Sequence, residues 1–150
     1  MNNNKPFRPF ATIAALLVVG AYYLFTGQMP GGQDGPSGEP STNPVSEAFL
    51  NQRSDVMVEF EGHVTRLLPD DNEGSRHQKF IVSMANKHTV LVSHNIDLAP
   101  RIDTIALGQP IKVSGEYEYN NRGGVVHWTH HDPAGRHPGG WIEYAGRRYQ

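Results

Sequence analysis

Four of the eight histidines in this chain fall in one stretch, HWTHHDPAGRHPGGW, from His127 to Trp141. His127, His130, His131 and His137 are joined there by Asp132, Arg136 and two tryptophans, Trp128 and Trp141. Imidazole changes charge near neutral pH and is the commonest metal ligand, so metal binding, proton transfer and pH sensing are all open to this stretch. A regular strand cannot assemble such a site. His127 and His131 would lie about 13 Å apart along an extended chain, too far to share one ion whose bonds are about 2 Å long. Pro133 disfavours helix at Asp132, and the strand is expected to end near Thr129 or His130. The GRHPGG segment can then fold back and bring Asp132 and His137, with His127 or His131, around a divalent metal such as zinc. Turn capping, pairing with Arg136 and packing against Trp141 are the structural alternatives for the same side chains. Strand alternation puts Trp128 on the face of Val126, in the core.

Two further groups could carry chemistry. In SHNIDLAPR, His94, Asp97 and Arg101 follow a predicted strand; with Arg136 and Trp141 they make the expected ligand-binding rim, although Asp97 serves equally well as a helix N-cap. In PDDNEGSRH, Asp70, Asp71 and Glu73 offer oxygens to a hard cation such as calcium, but the spacing is not that of an EF-hand and ordinary turn chemistry explains it. No nucleophile elbow, phosphate-binding glycine loop or zinc-protease helix is present.

The elements that must position these groups read as strands. VMVEFEGHVTRLL (Val56 to Leu68) alternates, with Val56, Val58, Phe60 and Val64 on one face and Gly62 marking a bend. QKFIVSM and HTVLVSH flank a turn at Asn86-Lys87. IDLAPRIDTIALG reads as an irregular insert or a short helix. IKVSGEYEY turns through NNRGG into VVHWT, with Ile111, Val113, Tyr117 and Tyr119 on the core side. WIEY and RRY make a terminal hairpin, and Val45 to Arg53 a short leading helix. Five main strands, the first long and glycine-bent, predict a mainly β fold: a small five-stranded OB-like barrel over residues 45–150.

Ahead of the barrel, residues 27–44 are rich in Gly, Pro and Ser and lack the apolar surface that ordering requires, as a flexible linker does. Residues 10–26 contain the apolar run FATIAALLVVGAYYLF, roughly 25 Å long as a helix, at the short end for a membrane span. Large residues close that run where signal cleavage would want small ones, which favours an uncleaved signal anchor over a cleaved signal and a secreted product. Lys5 and Arg8 lie in a short cytoplasmic segment, residues 1–9, and no Lys or Arg occurs again before Arg53. The charge asymmetry places the barrel outside the cytoplasm, in the periplasm of a bacterium, with the inner membrane as the first partner. The chain has no cysteine, which removes thiolate metal sites and thiol nucleophiles. A net charge of −2 with no basic run disfavours nucleic acid as a partner.

Three motifs carry a resemblance: PDDNEGSRHQKFIV, VSHNIDLAPRI and GGVVHWTHHDPAGRHPGGWIEYAGRRYQ. Together they resemble a bacterial family known as a domain of unknown function, over Val56 to Gln150. The resemblance implies a small secreted or membrane-anchored protein and supplies no reaction. A looser similarity links the expected barrel to secreted OB-fold nucleases, but Asp70, Asp71 and Arg76 do not reproduce their motif. The leading expectation is therefore a membrane-anchored extracytoplasmic binding module for an unknown ligand or envelope partner. Its site would be a rim of His94, His127, His131, Asp132, Arg136 and His137. A metal-dependent hydrolase, most plausibly a phosphodiesterase, is the rival from another class, and whether the chain is an enzyme is left open.

Overall fold

The computed structural model describes residues 43–150. The expected cytoplasmic segment, membrane helix and nearly all of the linker lie outside the described residues. Among the described residues no helix is long and apolar enough to cross a membrane.

Among the described residues, alternation of apolar and polar residues builds seven strands after one short helix. Helix α1 (Pro44–Leu50) starts with proline in its first turn, where the missing N–H is no loss, and Asn43 caps it by accepting from the Val45 N–H at 2.9 Å. It buries Val45 and Ala48 against the barrel. The strands are β1 (Val56–Leu67), β2 (His77–Ser83), β3 (Thr89–Asn95), β4 (Pro110–Glu118), β5 (Val125–His127), β6 (Trp141–Tyr144) and β7 (Arg147–Tyr149). The first five close on themselves in the cyclic order β1-β2-β3-β5-β4, with β3 and β5 parallel and the other pairs antiparallel. Each of these five strands therefore pairs with at least two others. The terminal hairpin β6–β7 pairs onto β4.

One long strand closes the barrel because its two halves have different partners. Val56 to His63 of β1 pair with β4, and His63 to Leu67 pair with β2. Gly62 sits at the handover: a Cβ there would lie 2.6 Å from the Ser83 carbonyl oxygen, so only glycine lets the strands approach. The interior holds Val58, Phe60, Val64, Phe80, Val82, Val90, Val92, Val113, Tyr117, Val126 and Ile142.

The insert between β3 and β4 contains turns and no helix. Buried Gln78 is one side chain that ties it to the wall. Gln78 donates from Nε2 to the Ile102 carbonyl (3.0 Å) and accepts from the Ile102 N–H (2.9 Å), closing the barrel end over Ile102. Gln78→Ala would leave both backbone groups buried and unpaired, so the expected loss is about 2 kcal/mol, read as a lower urea midpoint with an unchanged slope.

Candidate functional site

The alternation that builds the core also sorts the polar groups. On β4, Val113 and Tyr117 point inward, so Ser114, Glu116 and Glu118 line the outer face. The Tyr119–Gly124 connection pairs Glu116 opposite His127 on β5. Strand β5 ends at His127, earlier than VVHWT predicts, and Trp128 takes φ = +50°, a left-handed conformation rare for a bulky residue. That residue breaks the alternation. Thr129 and His130 are both buried, and Trp128, expected in the core, is only partly buried on the outer side. Its indole stacks on His137, with centroids 4.1 Å apart and planes 12° from parallel, and also meets His130 at 5.2 Å.

His137 donates twice. Nδ1 donates to the Pro138 carbonyl and Nε2 to Glu116 Oε2, each at 2.7 Å. Two acceptors suit the doubly protonated ring, and the Glu116 carboxylate raises its pKa, with the Pro138 carbonyl adding to the effect. In the protonated ring the stack on Trp128 is also a cation–π contact. Glu116 has a second neighbour in His127, whose Nε2 stands 3.4 Å from Oε1 and 3.9 Å from Glu118 Oε1. These separations fall in ion-pair range, but no hydrogen bond forms: His127 Nε2 is buried without a partner.

Of the four expected metal ligands, His127 and His137 thus meet through Glu116. His131 and Asp132 do not join them. Asp132 organises the loop instead, accepting from the N–H groups of Ala134 (3.0 Å), Arg136 (2.7 Å) and His137 (2.9 Å), and these bonds hold its carboxyl below the usual range. His131 and the side-chain-bearing Arg136 are exposed. Among the described residues the three-donor group within metal-binding reach is Glu116, Glu118 and His127.

The expected ligand-binding residues have other engagements. His94 is fully buried; its Nε2–H donates to the Pro100 carbonyl (3.1 Å) and its Nδ1 accepts from the Thr129 hydroxyl (2.8 Å). Asp97 accepts from the backbone N–H and Nε of Arg76, both at 2.7 Å, and Arg101 pairs with Asp70 and Asp103. The acidic loop is spent the same way, Asp71 pairing with Lys79 at 3.1 Å. The Arg76–Asp97 and Arg101–Asp70 pairs join the loop before β2 to the insert after β3. Trp141 lies on the outer face of β6 between two cations, Arg148 at 4.1 Å and Lys112 at 5.8 Å from its ring centroid.

Beside His127 opens a cleft of about 220 Å³ lined by Ser75, His77, Asn95, Leu98, His127, Trp128 and His130. Leu98 stands at its rim 47 % exposed. Glu116, Glu118 and His77 were absent from the sequence-derived site. The first two were legible, because the turn signal at NNRGG fixes a hairpin register that sets Glu116 against His127. No curated protein matches the chain. A family profile described as a protein of unknown function, DUF3465, matches residues 39–150, the whole barrel with its helix. The chain belongs to that family.

Proposed function

We propose that this protein is an extracytoplasmic binding module of OB type, anchored in the inner membrane by residues 10–26, whose partner inserts a small group into the cleft beside β5. The cyclic strand order with β3 parallel to β5 supports the OB assignment. The apolar N-terminal run and its flanking Lys5 and Arg8 support the anchor. One observation carries the site: Trp128 is held at positive φ with its indole outside the barrel, among three imidazoles and an exposed leucine. Strain of that kind persists only where surrounding structure enforces it, and an apolar body with a few convergent polar groups is the make-up of a ligand site. The cleft is smaller than the 300–1,000 Å³ or so typical of whole-ligand pockets, which favours a side chain or terminal group of an envelope partner.

Asp70 and Asp71 in the loop before β2 are paired with Arg101 and Lys79, which supports the binding reading over a phosphodiesterase built on those two carboxylates. A photo-reactive amino acid at Leu98 in the full chain, irradiated in cells, should give a discrete adduct by intact mass. The same probe at Lys87, at the opposite end of the β2–β3 hairpin, should not. Equal labelling at both positions would sink the proposal.

A further inference from the structure

The group behind the cleft has a composition of its own. Glu116 and Glu118 are two residues apart on the outer face of β4, and His127 faces Glu116 across the β4–β5 pair. One oxygen from each carboxylate and one imidazole nitrogen all lie within 4.8 Å of one another. Like charges this close on one strand repel, and the buried, unpartnered Nε2 of His127 is aimed at both. A cation among the three would answer both conditions at once.

We infer that Glu116, Glu118 and His127 are ligands of one divalent metal ion, and that zinc is the ion they fit. Bonds of about 2.0–2.1 Å at tetrahedral angles put neighbouring donors about 3.3 Å apart. The His127 Nε2 to Glu116 Oε1 separation is 3.4 Å, and Glu118 needs only a small closing rotation from 3.9 Å. Mixed imidazole and carboxylate donors suit zinc better than calcium or magnesium, which take oxygen alone. Glu116 offers the metal Oε1 because its other oxygen is engaged: His137 donates to Oε2 and fixes the plane of the carboxylate. His137 is therefore a positioning residue and not a ligand. Three protein donors leave a fourth position, and His127 lines the neighbouring cleft, so that position opens toward whatever enters it. The inference does not depend on the cleft having a partner.

The donor set separates this centre from one built on the His131–Asp132 pair. Full-length protein without a histidine tag would be titrated with zinc chloride by calorimetry, with metal content checked by elemental mass spectrometry. One zinc per chain is expected. Glu118→Gln and His127→Ala should each weaken binding at least about tenfold, and His137→Ala about 10–100-fold through the freed carboxylate, while His131→Ala leaves affinity unchanged. Circular dichroism in chelator would confirm that each variant is folded. Nitrogen NMR supplies an independent reading: zinc should move the His127 Nε2 resonance and leave His131 in place. No zinc bound by the unaltered chain, or binding that survives His127→Ala and disappears in His131→Ala, would overturn the inference. So would zinc binding that leaves His127 Nε2 unmoved.

Discussion

Gly140→Ala should destabilise the barrel by at least about 4 kcal/mol, although it adds one methyl group at a loop end. Gly140 is where the loop carrying Trp128, Asp132 and His137 returns to the sheet, its N–H donating to the His130 carbonyl at 3.0 Å. The return is a backbone-on-backbone contact. A Cβ at Gly140 would overlap the carbonyl oxygens of Trp128 and Ser114 and stand 3.1 Å from the Cα of Gly115. Neither oxygen has a rotamer to change, so relief requires lifting the loop off β4. Lifting it separates His137 from Glu116, and zinc affinity should fall along with stability. The neighbouring glycine is the control. A Cβ at Gly139 meets the His131 ring at 3.3 Å, a side chain that is exposed and free to swing away. Gly139→Ala should therefore stay within about 1 kcal/mol of the parent. Urea unfolding read by tryptophan fluorescence suits the pair, because both tryptophans of the chain, Trp128 and Trp141, are partly buried residues of the folded domain. A Gly140→Ala protein with the parent's midpoint would show that the loop does not depend on that contact.

The contrast between those two glycines marks where sequence reasoning stopped. Period-two alternation recovers the inward residues of β1, β2, β3 and β4 because each strand is wet on one face and dry on the other, and turn chemistry at Asn86-Lys87 and NNRGG recovers the pairings. Alternation assumes that the strand continues. At Trp128 it does not: one residue at φ = +50° puts Trp128 outside and Thr129 inside, while His130 stays buried and His131 exposed. Nothing in VVHWTHH marks that residue, since positive φ is signalled by glycine or asparagine and here falls on tryptophan. The histidine-rich stretch was thus identifiable as a site region while its internal assignment was not. His127 and His137 reach Glu116, His130 packs beneath Trp128, and Asp132 caps the turn. Glu116 and Glu118 escaped notice for a simpler reason: glutamates on the wet face of a strand look like solubilising residues until a partner strand is laid beside them.

His94→Ala should cost about 3–5 kcal/mol at pH 7, and the effect should shrink as the pH falls. The ring is 0 % exposed and joins three segments: β3, which carries it, Pro100 in the insert, and Thr129 after β5. Removing it opens a cavity and strands a carbonyl and a hydroxyl in the interior. Because Nε2 gives its proton to Pro100 and Nδ1 accepts from Thr129, the bound form is the neutral tautomer. Burial lowers its pKa below the ordinary imidazole value of 6.5, nearby His130 and His77 push the same way when charged, and the Pro100 carbonyl opposes them. The folded protein therefore binds fewer protons at this site than the unfolded chain does. Its stabilising contribution is complete above pH 6.5 and is lost as pH falls through the lower folded value. Asp71, Asp97 and Asp132, with pKa values lowered from 3.8, contribute in a more acidic window, and His137, with its raised value, contributes with the opposite sign above 6.5. Between pH 7 and pH 5 the loss of stability should thus be carried by His94. His94→Gln can keep the donor to Pro100 without a titrating group, so it should recover part of the loss and remove the pH dependence of that part. Urea midpoints for the parent, His94→Ala and His94→Gln at half-unit steps would decide it: parallel pH profiles for all three would mean that the neutral ring is not what locks the insert to the barrel.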